Sequence, residues 1–352
     1  MTIDPDRATE ILEMANRARN NQEFEDSVRL YSEAIDLGCS QINDALYYRG
    51  ASLLELGSDE KALVDLEECK HRGGTGDASL YVNLGACLGR LGRKKEALSA
   101  YEAGIKMHQP DRNGLLYNNI GYVYVDLEQL DKAISAFSKA LGYRFYGCTD
   151  DLGRLINQTT DLDKGIHMLE SFISRFGEMM PASPLADLYF WIGICSFEIE
   201  VTHESPDYSK AIKVFNIAIN EESNLKRSLY YRGKANLYAD NFEAAIQDFT
   251  DLIESECEAE QGRDPYAHYH RAKALACTGQ YLLSLIDLDI ALSLNDQDSE
   301  FYFFKGCILQ RIGREEQACE AWGTAMDLGH QDAEDLFESY QCVRSLVVGR
   351  RT

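Results

Sequence analysis

"YVNLGACLGRLGRKKEALSAYEAGI", residues 81–105, decides the fold. A small residue, Gly85, is followed twelve positions later by a second, Ala97, four later by the bulky Tyr101, and three after that by Gly104. Around them lie two stretches, Ser79–Leu91 and Lys94–Lys106, in which apolar residues fall three and four apart, as one face of a helix requires. Gly92 separates them and can take the left-handed conformation that ends a helix. The stretch predicts two helices that approach closely at their small residues, with a large side chain filling the adjoining gap.

The same spacing recurs along the chain. The first small residue appears at Ala15, Gly50, Gly85, Gly121, Gly153, Gly193, Gly233, Ala272 and Gly306. The second follows at Ser27, Ala62, Ala97, Ala133, Gly165, Ala245, Ser284 and Ala318; in the sixth unit Ala211 comes six residues late. The bulky position holds Tyr31, Leu66, Tyr101, Phe137, Leu169, Phe215, Phe249, Leu288 and Trp322. Gly57, Gly279 and Gly313 stand where Gly92 does. Two short helices cannot bury an apolar face alone, but stacked hairpins can, so a repeat of this period predicts an all-α array.

These residues resemble the tetratricopeptide repeat. The likeness is clearest in residues 81–105, in "LYYRGASLLELGSDEKALVDLEEC" (46–69), in "LYYRGKANLYADNFEAAIQDFTDLI" (229–253) and in "FFKGCILQRIGREEQACEAWGTAM" (303–326), and it extends over about residues 8–328. It implies an all-α, right-handed superhelical solenoid, read as a single domain over 1–344. The units lie near 8–41, 43–76, 78–111, 114–145, 146–179, 186–224, 226–259, 265–298 and 299–329. Residues 146–179 have Phe172 where the family has a small residue and read as a less regular hairpin. The sixth unit carries an insertion, "EIEVTHESPDYSK" (198–210), expected as a surface loop. Residues 330–344 read as a capping helix with a polar outer face, and 345–352 as a tail.

Composition narrows the function. Lys and Arg number 35 against 58 Asp and Glu, a formal charge of −23, so a phosphate backbone is repelled on average and nucleic acid is disfavoured. The complement is a basic or neutral partner, or the acidity only keeps an extended scaffold soluble. No apolar run is long enough to cross a bilayer, and the first residues lack the pattern of a signal peptide. The 10 Cys are scattered without a C-x-x-C pair, and Cys69, Cys87, Cys195 and Cys307 read as small core residues of a cytoplasmic protein without disulfides or zinc.

The search for chemistry returns little. "HRGGTGD" (71–77) lacks the Gly-Lys-Ser/Thr ending of a phosphate loop and reads as a connection between hairpins. His268 and His270, two apart on a helix, point to different faces; His203, Glu204 and Asp207 lie close in sequence with nothing to fix them on a cation. The expectation is a chain that is not an enzyme and holds no cofactor or metal.

In tetratricopeptide arrays the first helix of each hairpin lines a concave surface that takes a peptide or a helix. Here the resemblance brings Tyr47, Tyr48, Asn83, Asn118, Asn119 and Tyr122 to it in the first half. In the second half it brings Phe190, Trp191, Tyr230, Tyr231, Tyr269, His270, Phe303 and Phe304. Aromatic anchors and Asn side chains suit peptide recognition, although the same rings could pack against the neighbouring hairpin and the same Asn groups could be satisfied locally. One subgroup of the family binds chaperone C-terminal carboxylates through a Lys, Asn and Arg set. Leu12, Tyr47, Val82, Asn118, Phe190, Tyr230, Tyr269 and Phe303 occupy the first Lys position here, which argues against that activity. A smaller basic group, Arg227, Lys234 and Lys273, could hold an acidic side chain or pair within the protein. The reading is a protein-interaction scaffold binding a partner through the concave face. Its alternatives are a self-assembling oligomer, or a peptide or small-molecule sensor with a separate output protein.

Overall fold

The structure, a computed structural model, describes residues 5–220, 225–256, 264–340 and 342. Cys257, the ends of the sixth and seventh units and the tail 345–352 lie outside the described residues. Those residues form nineteen α-helices and two short 3-10 turns, with no strand among them. The chain divides into two compact units, residues 1–158 and 159–352.

The first unit contains α1 (Pro5–Asn20), α2 (Phe24–Asp36), α3 (Ile42–Glu55), α4 (Asp59–His71), α5 (Ser79–Arg90), α6 (Lys94–Ile105), α7 (Pro110–Asp126), α8 (Leu130–Gly142) and α9 (Thr149–Asn157). Helices α1 to α8 form four hairpins, each stacked on the next. The second unit contains α10 (Leu162–Phe176), α11 (Ala182–Val201), α12 (Ser209–Asn220), α13 (Leu225–Tyr238), α14 (Phe242–Glu256), α15 (Pro265–Cys277), α16 (Tyr281–Leu294), α17 (Ser299–Arg311), α18 (Glu315–Asp327) and α19 (Ala333–Ser339). Here α11 to α18 form four hairpins, with α10 packed before them and α19 after. The hairpin expected at 146–179 supplies one helix to each unit.

The predicted small-to-large contact is present in six hairpins. A Cβ at Gly121 would lie 2.5 Å from the Phe137 ring, at Gly193 2.5 Å from Phe215, and at Gly306 2.5 Å from Trp322. Gly233 faces Phe249 and Gly50 faces Leu66 in the same way, and Gly85 lies against Tyr101 closest of all. Each bulky residue is buried against a bare backbone, and at every one of these glycines except Gly50 a Cβ would come closer than 3.0 Å to it. Gly57, Gly92, Gly279 and Gly313 close first helices with φ between 68° and 77°, as predicted. In three other hairpins Gln22, Glu128 and Asp240 take the left-handed conformation at the corresponding turn.

Three expectations need correction. The insertion is not all loop: α11 continues to Val201 before the chain turns, so part of the extra length is an added helical turn. The terminal helix is shorter than expected, Ala333–Ser339. The cysteines are not all reduced, because Cys319 of α18 is bonded to Cys342, a pair far apart in sequence that the turn after α19 brings together.

A set of buried ion pairs went unread in the sequence. Arg49 clasps Asp65 with two bonds of 2.7 Å and reaches Ser32 of the preceding hairpin at 3.0 Å. Arg271 does the same with Asp287 at 2.7 Å and Thr250 at 3.1 Å, while Arg232 holds Asp248 and donates to Asn216 at 2.6 Å. Each Arg immediately precedes the small residue of a first helix, and its Asp lies sixteen residues on in the second helix. One guanidinium thus ties three helices of two successive hairpins, and the planar fork suits a bidentate carboxylate.

Candidate functional site

Within each unit successive first helices touch one another: α3 meets α5 and α5 meets α7, α11 meets α13 and α13 meets α15. Second helices approach each other less. The residues singled out in the sequence lie on these first helices, and burial sorts them.

In the first unit the candidates are mostly engaged within the fold. Tyr48 stacks on Tyr31 and carries Arg19 over its ring at 4.2 Å. Tyr47 packs edge-on against Tyr48 and bonds Ser79. Asn118 is buried, and Asn119 bonds the Tyr101 hydroxyl, whose pKa burial pushes up to about 12. The exposed Tyr122 donates to Asp151 at 2.5 Å. Asn83 is half-buried. Most of these groups are engaged within the fold, but the buried Asn118 Oδ1 has no hydrogen-bond partner.

The second unit differs. Phe190, Trp191 and Tyr269 are buried, so they support the surface from below and do not form it, contrary to their reading as open anchors. Tyr269 donates to Glu300 at 2.6 Å, and Glu300 also faces His330 Nε2 at 3.0 Å. Phe303 stacks on His330 with centroids 4.0 Å apart, and Phe304 meets Tyr269 edge-on. Above these lie half-buried Tyr230, Tyr231 and His270, with Arg227 4.2 Å over the Phe190 ring.

Lys234 and Lys273 occupy equivalent places, each directly after the small residue of α13 and α15. The Lys234 ammonium lies 5.4 Å from the Phe197 and Tyr231 centroids and 5.9 Å from Tyr230. Lys273 lies 5.3 Å from Tyr269 and 5.9 Å from Phe304. Among the described residues neither has a carboxylate within ion-pair distance, whereas Lys305 of the next hairpin pairs with Asp289 at 2.6 Å. Burial holds the Lys234 pKa below its ordinary value, opposed by Glu198 and assisted by Lys273.

His270 is the third member of the group. Its ring stacks on Phe249 and meets Tyr230 edge-on, and its Nδ1 is buried with no hydrogen-bond partner. Burial first, then the charges of Lys234 and Lys273, lower its pKa to about 3, so it is neutral near pH 7. His268, two residues away, faces Asp287 at 3.1 Å on the other side of the helix, so the two imidazoles are separated as predicted. The arrangement is an aromatic floor carrying two ammonium groups that make no close ion pair among the described residues, with Glu198 acting on Lys234 and Glu300 on Lys273 from farther off, on a chain of charge −23. It can take an anionic group and the apolar side chains beside it. The columns of aromatic residues were legible in the sequence. The lack of a close ion pair at the two lysines and the unpaired His270 nitrogen were not, since both depend on what the neighbouring hairpins place nearby.

Residues 12–68, 78–109 and 115–145 match the tetratricopeptide repeat family. A TPR repeat-containing protein of Methanocaldococcus jannaschii is 22% identical over 264 residues, 70% of this chain and 43% of its own length. The chain thus spans less than half of that relative. Among solved structures, MamA from Desulfovibrio magneticus RS-1 aligns over 52% of this chain and 96% of its own, at 16% identity and a TM-score of 0.43. A tetratricopeptide repeat protein from Parabacteroides merdae aligns over 86% of this chain and 100% of its own, at 15% identity and a TM-score of 0.39. No helix among the described residues is long and apolar enough to cross a membrane.

Proposed function

We propose that the chain is a tetratricopeptide-repeat scaffold for protein interaction, whose second unit binds an acidic, partly apolar segment of a partner on the first-helix face of α13, α15 and α17. The carrying observation is the pair Lys234 and Lys273, set among Tyr230, Tyr231 and Phe304 with no close ion pair among the described residues. A partner's Asp or Glu placed between them forms charge-assisted bonds in partly desolvated surroundings, where they are stronger than on an open surface. Tyr230, Tyr231 and Phe304 offer rigid area to the side chains on either flank. Arg227, already over Phe190 and Trp191, extends the positive strip.

An array of overlapping 15-residue peptides, probed with the purified chain, tests this. Bound peptides should be rich in Asp or Glu next to aliphatic or aromatic residues. Lys234→Glu with Lys273→Glu should abolish their binding, and rising salt should weaken it in the native chain. Glu315→Gln, on the exposed start of α18, should leave it unchanged. Equal binding of the same peptides by the double Lys variant would refute the assignment.

A further inference from the structure

The last helix among the described residues, α19, carries a feature outside the proposed groove. Cys319 of α18 and Cys342 are disulfide-bonded, with Cα atoms 5.4 Å apart and 23 residues between them in sequence. Between them lies α19, only seven residues long, which is too short to persist in water without tertiary support. That support is thin. Ala333 is its one fully buried residue, Leu336 and Phe337 are partly buried against the last hairpin, and Phe337 lies over the bare backbone of Gly323. Tyr340 covers Trp322 with centroids 5.2 Å apart while remaining exposed itself.

We propose that the Cys319–Cys342 disulfide is a redox-operated latch that holds α19 on α18, so that reduction releases the helix and uncovers the face of α18 beneath it. Both cysteines of the pair are half-buried, not enclosed in the core. Five other cysteines, Cys39, Cys69, Cys87, Cys148 and Cys195, are buried, and burial raises the pKa of each thiol, to about 11 at Cys69 and Cys87 and about 12 at Cys148 and Cys195. A thiol held protonated is a poor nucleophile, so these do not compete. Cys277 is exposed on α15 and is not in a disulfide.

The chemistry is thiol–disulfide exchange. A reducing dithiol attacks one sulfur of the pair, breaks the S–S bond and forms a mixed disulfide. Its second thiol then displaces the protein sulfur. Two electrons and two protons end on Cys319 and Cys342, and the reductant leaves as its own disulfide. The reverse step needs a low-molecular-weight disulfide such as oxidised glutathione. Release matters because Leu336 and Phe337 of α19 cover apolar surface of the hairpin before it, which otherwise meets solvent or another surface.

Hydrogen exchange on the full chain tests the latch. After treatment with oxidised glutathione, non-reducing peptide mapping should recover a linked peptide containing Cys319 and Cys342. Dithiothreitol should then lower the protection of residues 333–339 on the order of a hundredfold, as expected for opening a loop of this length. Residues 299–327 should keep theirs. Cys342→Ser and Cys319→Ser should each start at the reduced level and ignore the reagent, and Cys277→Ser should respond as the native chain does. Reduced native protein alkylated with iodoacetamide gives the same reading without a substitution. Absence of the linked peptide, or equal protection of 333–339 in oxidised, reduced and Cys342→Ser chains, would overturn the proposal.

Discussion

Replacing Asp287 by Ala should cost about 3–5 kcal/mol, the range for breaking a buried ion pair by removing one partner. Asp287 is 2% exposed on α16 and accepts from Arg271 twice at 2.7 Å, with His268 Nδ1 at 3.1 Å. Its loss strands a guanidinium that also reaches back to Thr250 of the preceding hairpin, together with a buried imidazole. The comparison that isolates burial is Asp26→Ala, whose partner Arg29 sits 3.0 Å away in an exposed pair, where the cost should be at most about 1 kcal/mol. Urea unfolding of both variants, with hydrogen exchange across α14 to α16 because neighbouring hairpins couple only locally, measures the difference. Arg271→Met in the Asp287→Ala background should recover part of the loss by removing the stranded charge. Equal urea midpoints for Asp287→Ala and Asp26→Ala would refute the reasoning. The pH dependence follows from the same site. Burial alone would raise the Asp287 pKa, but hydrogen bonds and charge from Arg271 and His268 hold it below the ordinary carboxylate value. A folded-state pKa below the unfolded one gives stability that is present above roughly pH 4 and is lost as pH falls through the folded value. Asp287→Asn should flatten that acid limb.

Gly85→Leu should destabilise the chain by roughly 1–3 kcal/mol or more, because its side chain would enter the space of the Tyr101 ring; an unchanged melting curve would contradict this. Glu128→Gly should stabilise by about 0.5–1 kcal/mol, since Glu128 holds φ at 57° where glycine pays no steric penalty, and thermal unfolding reads the gain. The His270 imidazole, with its pKa lowered to about 3, should show no titration by NMR between pH 5 and 8. Its folded pKa lies below the unfolded one, so the unfolded chain takes up the proton first and stability falls as pH drops from about 6.5 toward 3.

What the sequence determined by itself was the repeat and its packing contact. The distance of sixteen residues from Gly121 to Phe137, or from Gly306 to Trp322, places both residues at one helix crossing whatever surrounds the hairpin, so it is a local property and legible in one dimension. The left-handed glycines at the turns were legible for the same reason. The clasp of Arg49 with Asp65 shares that spacing and could have been found, but its third partner, Ser32, belongs to the preceding hairpin. The tertiary structure alone decided which rings face outward. Tyr269 and Phe303 hold the same column, yet one is buried over Phe301 and Glu300 while the other lies half-buried against His330. It also decided that Lys305 makes a close ion pair while Lys234 and Lys273 make none among the described residues, and that Cys342 returns to Cys319. A side chain's exposure, charge balance and bonding depend on what the adjacent turns of the stack bring within a few ångströms, and helical period carries no record of that.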